Sequence, residues 1–416
     1  MVKKQNEVLK HKIELKDIKL NSILEITTAI NENLPVENIL DIYSFVLKEQ
    51  LGFKKFIILH QTDNQWSCIL KKGLKTKIVV NQLIQELNRF TDITIVDSSN
   101  NALLDNFDAI IPVIHHDKPL AYVLVSRIET KTDKKIKDDH LYLSFIQTLS
   151  NIVSVAIENK SILKKSLAQE AIKKELEVAR EMQKLLFPDF SNLPSNFKMD
   201  ISAKFIPRHA IGGDYYDFIP LGDDEYIFCI ADVSGKGITA ALLMANFQAT
   251  VRTLFRYQRF EMAFLMEELN KKVMKSAKGE KFITFFIGHY NAFTREMKYI
   301  NAGHNQPFIL HGNSSKLLDI GCIGLGMMDE IPNIEVGKIN INPKSTLIMY
   351  TDGVVEQENA KGKQFGLKRL IREVKAFSTL SMADMNYTIF SKLDEWKEDL
   401  NYTDDTAILA VRFGKQ

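Results

Sequence analysis

The sequence predicts an α+β protein of two domains joined by a long helix, on three observations. Its 416 residues exceed what one hydrophobic core ordinarily organises. In the second half, strand-like runs come in blocks with helices inserted in pairs, not as a strand–helix–strand repeat. Between the halves, residues 138–186 contain neither proline nor glycine, so one continuous helix is expected.

Taken in order, residues 15–51 read as helix. Ile18, Ile23, Ile26 and Ile30 share one apolar face, and Pro35 breaks the run before a second face of Ile39, Ile42, Phe45 and Val46. Short strands are expected at 55–60, 67–70 and 94–96. Strands at 108–114 and 120–126 flank a hairpin-like turn, His115-His116-Asp117-Lys118-Pro119. This succession of helix, meander, helix and hairpin resembles a GAF-type sensory domain, which implies an unknown small-molecule ligand or partner there. A long helix then starts near Lys137. Leu149, Val153, Ala156, Leu163 and Leu167 follow a 4-3 spacing. After a discontinuity at 168–171, Ile172, Leu176, Ala179, Gln183 and Leu186 resume it. That seam predicts a coiled-coil homodimer, against the plainer alternative of a helix packed on its own domain. Phe187-Pro188 ends the helix.

From 196 onward, Met199, Ile201, Ala203 and Phe205 alternate with polar residues as a half-buried strand does. Strands follow at 226–230, 282–290, 297–301, 307–310, 346–350 and 406–411. Helices are expected at 238–255, with Leu243, Phe247, Val251 and Leu254 on one face, and at 260–275, 367–377 and 381–396.

Composition narrows the function. The chain is 45% apolar and 25% charged with a net charge of +2, so no basic excess points to nucleic acid. Cys68, Cys229 and Cys322 are far apart and form no CxxC, which argues against a disulfide framework or a cysteine zinc site. No signal-peptide h-region and no apolar run of membrane-spanning length are found, so a cytoplasmic protein without membrane insertion is expected.

Four acidic motifs carry the chemistry. They are Gly212-Gly213-Asp214-Tyr215-Tyr216-Asp217, Ala231-Asp232-Val233-Ser234-Gly235-Lys236-Gly237, Thr351-Asp352-Gly353 and Asp404-Asp405-Thr406-Ala407. Each lies at the end of a strand-like stretch. Carboxylates gathered from strand ends repel one another unless a cation neutralises them, and an all-oxygen set suits Mg²⁺ or Mn²⁺. Asp232 is followed by a glycine-flanked turn that opens a helix, a geometry that suits both a cation and a phosphate. Lys236 lacks the GxxxxGK[ST] spacing of a P-loop, so nucleotide hydrolysis by that route is rejected.

With Phe-Ile-Thr-Phe-Phe at 282–286 and Asn-Ala-Gly-His-Asn-Gln-Pro at 301–307, these motifs occur in an order that resembles the SpoIIE/RsbU branch of the metal-dependent PPM protein phosphatases. The resemblance covers about residues 187–416, and residues 179–188 just upstream resemble that family's switch-linker. It implies a sandwich of two antiparallel β-sheets flanked by helices, with two divalent metal ions, Mn or Mg, at one edge. Asp232 would bridge both ions and Val233 would lend its carbonyl. Asp352 and Asp404 would complete one site, with Asp405 the alternative to Asp404, and Asp214 would hold the second ion loosely. Asp217 reads as a structural hydrogen-bonder. The resemblance further implies attack of a bridging hydroxide on phosphoserine or phosphothreonine of a protein, in this family a STAS-domain anti-sigma-factor antagonist. One departure stands out. Distant relatives carry a histidine two residues after the bridging aspartate, where this chain has Ser234, so the general acid is unassigned.

His304 could be nominated for that role, against the plainer reading of a turn histidine bonding between strands. Arg208 and His209 could hold phosphate, or simply be solvated. His60, Cys68, His115 and His116 read as ordinary residues and not as a metal site. The expected division is 1–158 GAF-like domain, 159–187 helical linker and 188–416 phosphatase domain, with the first gating the last. Two other functions compete: a catalytically silent phosphoprotein-binding module, and a GAF small-molecule sensor whose C-terminal half is a passive dimer.

Overall fold

Two units share the chain, Met1–Glu170 and Ala171–Gln416. The computed structural model describes residues 2–74, 79–96, 104, 106–115, 118–126, 140–190, 199–222, 224–257 and 261–414.

The first unit contains α1 (Val2–Asn31), α2 (Val36–Phe45) with a π-helical turn at Val46–Gln50, β1 (Lys55–Thr62), β2 (Gln65–Lys72), α3 (Val80–Leu87), β3 (Thr94–Ile95), β4 (Ala109–His115), β5 (Lys118–Ser126) and most of α4 (His140–Lys184). Its antiparallel sheet runs β2-β1-β5-β4-β3. Alternate residues point to opposite faces of a strand. Phe56, Ile58, Ile111, Val123 and Val125 therefore pack with Ile26, Ile39, Tyr43, Ile146 and Leu149. Ile57, Leu59, Ile110, Tyr122 and Leu124 pack on the other face with Leu83, Leu87 and Phe107. The sequence reading missed α3, because eight residues carry too few turns to display a period. His116 and Asp117 of the expected hairpin turn, and the expected helix start near Lys137, lie outside the described residues.

The long helix α4 is continuous over 45 residues. Its expected seam divides, however. Leu149 and Val153 belong to the first unit's own core, and Ala156 is buried too, so packing on the parent domain wins there. Leu163, Leu167 and Ile172 are more than half exposed. Gln183 is buried and Leu186, just past the helix, packs on the second unit's core.

The second unit has four layers. One sheet is ordered β12 (Ser314–Leu317), β11 (Phe308–His311), β15 (Thr346–Tyr350), β16 (Thr406–Phe413), β6 (Met199–Ile206). The other is ordered β13 (Gly321–Cys322), β10 (Glu296–Ala302), β9 (Ile283–Asn291), β8 (Glu225–Val233), β7 (Tyr215–Gly222), with β14 (Gly337–Asn340) also on β10. All pairings are antiparallel except the two-residue contact of β10 with β13. The sheets close over a core containing Phe228, Ile230, Phe286, Leu347, Met349, Leu409 and Val411. Outer faces are covered by α5 (Ile238–Tyr257) and α6 (Met262–Ala277) on one side, and, after the short helix α7 (Asp352–Val355), by α8 (Leu367–Ala376) and α9 (Met382–Lys397) on the other. Strand β16 shows why: Leu409 and Val411 face the other sheet while Ile408 and Ala410 face the helices, so both sides of the strand are apolar.

Candidate active site

Antiparallel pairing sets the end of one strand beside the start of its neighbour. Tyr215 opens β7 opposite Ala231 of β8, which brings Asp214 and Asp232 to one edge of their sheet. In the facing sheet Tyr350 closes β15 opposite Ile408 of β16, which brings Asp352 beside Asp404 and Asp405. A direct bond joins the two edges: Gly213 N donates to Asp405 Oδ2 at 2.6 Å. At Gly353 a side chain is excluded, since a Cβ there would overlap the Asp405 carbonyl oxygen.

The expected site residues therefore meet, but not as equals. Asp405 is committed to backbone, accepting also from Arg208 N at 2.8 Å. Asp404 is freer: its Oδ1 accepts from Asp405 N at 2.9 Å and its Oδ2 pairs with Lys236 Nζ at 2.7 Å. Of the two, Asp404 is the carboxylate less tied to backbone, with one backbone donor against two for Asp405. Asp214 is 1% exposed, and neither of its oxygens has a hydrogen-bond partner among the described residues. A Cβ added at Gly213 would meet the Val233 carbonyl oxygen at 3.1 Å, so that carbonyl lies on the same edge.

Electrostatics follow from that crowding. Burial, then the charges of Asp232 and Asp405, raise Asp214 well above the ordinary carboxylate range. Burial and the charges of Asp352, Asp404 and Asp405 push Asp232 up to about 7. Burial and the neighbouring Asp404 push Asp352 up to about 6. Asp405 is raised by burial, offset by its two backbone donors.

Other candidates fall elsewhere. His304 is buried, its Nδ1 bonded to Thr284 Oγ1 at 2.9 Å and its backbone N donating to Asn301 Oδ1 at 2.8 Å; burial pulls it down to about 4, which keeps it neutral. Ser234 Oγ accepts from Phe282 N at 2.9 Å. The Arg208 guanidinium is anchored on the Thr403 carbonyl. His60 bonds Thr62 Oγ1 and the Ser154 carbonyl inside the first unit, away from any acidic cluster.

Three partners escaped the sequence reading. Arg252 clamps Asp217. Lys236, set aside as a failed P-loop, pairs with Asp404. Gln183 grips the backbone of Gly212 twice, Nε2 donating to its carbonyl at 2.7 Å and Oε1 accepting from its N at 3.1 Å. The available signal for Gln183 was a lone amide among apolar seam positions, which asks for a buried partner.

Divalent cations fit this donor set. As the side chains stand, no three His, Cys, Asp or Glu among the described residues close up into a finished ligand cluster. Yet Asp214 offers two buried, unpartnered oxygens amid like charges, and an all-carboxylate set of this kind is what Mg²⁺ or Mn²⁺ takes.

Comparison with known proteins finds a family resemblance over the second unit. Residues 222–414 match the family described as Stage II sporulation protein E (SpoIIE). The phosphoserine phosphatase RsbU of Bacillus subtilis is 28% identical over 249 residues, spanning 59% of this chain and 71% of that protein. Protein IcfG of Synechocystis is 30% identical over 252 residues, spanning 52% of this chain but 39% of that protein. Among solved structures, the SiaA-PP2C domain of Pseudomonas aeruginosa shares the fold with a TM-score of 0.52 at 20% identity, covering 59% of this chain and 98% of that domain.

Proposed function

We propose that the chain is a metal-dependent protein serine/threonine phosphatase of the SpoIIE type, a reading supported by the family match over residues 222–414, the similarity to RsbU and the shared PP2C fold. One observation carries the reading: four strand ends deliver Asp214, Asp232, Asp352 and Asp404 to one edge, where Asp214 is buried without a partner. Asp232 stands centrally, between Asp214 on its own sheet and Asp352 and Asp404 on the other, and is suited to bridge two ions with the Val233 carbonyl. Asp352 and Asp404 would hold one ion and Asp214 the second. When bound, the ions would supply charge neutralisation and a water of lowered pKa as nucleophile. Asp405 orients the Gly213 backbone beneath the site, and Arg208 fixes the Thr403 loop beside it.

A phosphorylated STAS-domain anti-sigma-factor antagonist is the substrate inferred from the family resemblance. The test is phosphate release from phosphoserine protein with Mn²⁺ or Mg²⁺. Asp232→Asn is expected to lose at least ~10²-fold, the scale for removing one electrostatic group of an active site. Equal rates in the two proteins, or indifference to EDTA, would remove the two-metal reading.

Division into a 1–158 GAF-like sensor, a 159–187 linker and a 188–416 catalytic domain is part of the same proposal, with the sensor acting through α4 in a cytoplasmic homodimer. Two features support it. Ile162, Leu163, Leu167, Ile172, Val178 and Met182 leave α4 with large apolar side chains more than half exposed, as a helix awaiting a second copy would. Gln183, near the helix end, holds the Gly212 backbone two residues before Asp214. Gln183→Leu should uncouple them, changing phosphatase rate severalfold while the isolated second unit still binds Mn²⁺; an unaltered rate removes Gln183 from the switch. No helix among the described residues is long and apolar enough to cross a membrane.

A further inference from the structure

Three cationic side chains stand around the acidic edge, and they differ in what holds them. The Arg208 guanidinium rests on the Thr403 carbonyl. Lys281 Nζ donates to the Ser234 carbonyl at 3.0 Å. Both bonds are to backbone carbonyls and not to a carboxylate. Lys236 instead pairs its Nζ with Asp404 Oδ2 at 2.7 Å, a carboxylate assigned above as a metal ligand.

The backbone explains its placement. Gly235 and Gly237 flank Lys236 with φ of +88° and +76°, in the left-handed region that glycine adopts without strain. The chain curls outward there between Asp232 and the start of α5, so the lysine side chain keeps 45% exposure while its backbone stays beside the site. A pair this exposed is weak, on the order of 1 kcal/mol or less, and is easily exchanged. An ammonium carries three donors on a flexible stem and takes phosphate as a point charge.

Resting on the two-metal reading, we propose that Lys236 is a partner-exchanging cation. It holds Asp404 until that carboxylate is taken up as a metal ligand, and its freed ammonium then binds the phosphoryl oxygens of the substrate. Metal loading and phosphate binding are thereby coupled through one side chain. Lys236 also accounts for the failed P-loop: the glycines around it serve the exchange and not a nucleotide.

The full chain tests this by calorimetry, titrating first Mn²⁺ and then inorganic phosphate into the Mn²⁺-loaded protein. Lys236→Gln should bind Mn²⁺ roughly threefold to fivefold more tightly, since no cation competes for Asp404. The same variant should bind phosphate about tenfold more weakly, having lost a charged donor. Lys236→Arg, which keeps the charge, should stay near wild type on both axes, and unchanged thermal unfolding excludes misfolding. Mn²⁺ affinity unchanged in Lys236→Gln, or phosphate affinity unchanged, overturns the exchange alone. A wild-type chain that binds no Mn²⁺ overturns the two-metal reading and the exchange with it.

Discussion

Asp214 and Asp217 belong to one motif and are 1% and 0% exposed, yet their surroundings are opposite. Asp217 receives Arg252 Nε at 2.6 Å and Nη2 at 2.9 Å, the Tyr215 hydroxyl at 2.6 Å and Phe218 N at 2.8 Å. Asp214 has no hydrogen bond of good geometry among the described residues; the nearby Thr351 hydroxyl lowers it only in part, against burial and the charges of Asp232 and Asp405. A buried charge is tolerated when it is paired and hydrogen-bonded, and is costly otherwise. Asp217 is thus explained by the fold. Asp214 requires something that the surrounding side chains do not fully supply.

The largest effect that could break this contrast lies at Asp217. Asp217→Ala leaves a guanidinium, a buried tyrosine hydroxyl and a backbone N–H without their acceptor. We expect a loss of about 3 kcal/mol, below the upper range for a buried pair because Arg252 is partly exposed. Denaturant unfolding of the metal-free protein measures it. A change under about 0.5 kcal/mol, the scale of ordinary surface substitutions, would mean that Asp217 is not the satisfied member of the pair.

Much of this was legible in the sequence, for identifiable reasons. The strands at 199–206 and 346–350 announced themselves through alternation or unbroken apolar runs, and the acidic motifs at their ends carried the site. Strand β7 was not seen, since Tyr215-Tyr216-Asp217-Phe218 places a charge where a buried strand should be apolar, and the Arg252 guanidinium that neutralises it comes from a helix 35 residues away. Neither could spacing separate Asp404 from Asp405. They differ by which backbone amides reach them, and Arg208 and Gly213 come from another part of the chain. The α4 seam failed as one unit because Leu149 and Leu163 obey the same period but meet different neighbours.

A smaller effect of opposite sign is expected at Asp214. Its carboxyl is raised well above the ordinary range by burial first and by Asp232 next, so at pH 7 the metal-free fold carries a cost that an amide does not. Asp214→Asn should therefore stabilise the metal-free protein, by about 1 kcal/mol, while weakening Mn²⁺ binding. Destabilisation by the amide would show that Asp214 has a partner after all, and the contrast with Asp217 would collapse.

The smallest effect is a slope with pH, and it isolates the acidic edge as a whole. In the folded chain Asp232 stands at about 7 and Asp352 at about 6, both above the 3.8 of an unperturbed aspartate. A carboxyl raised by folding binds its proton more tightly in the folded state. Its contribution is fully present below the unfolded value and is lost as pH rises through the folded one. Metal-free stability should thus fall from about pH 4 to about pH 7 on account of these groups. His304, lowered to about 4 by burial, works the other way, because a histidine depressed by folding contributes stability that grows as pH rises toward its unfolded value. The raw melting profile mixes the two signs. The difference between wild type and Asp232→Asn does not, since both proteins keep His304. In EDTA, wild type should lose stability relative to Asp232→Asn as pH rises across that window, and saturating Mn²⁺ should reverse the order. Parallel profiles would mean that neither burial nor the neighbouring carboxylates raise Asp232, and the buried oxygens of Asp214 would then need an explanation other than a cation.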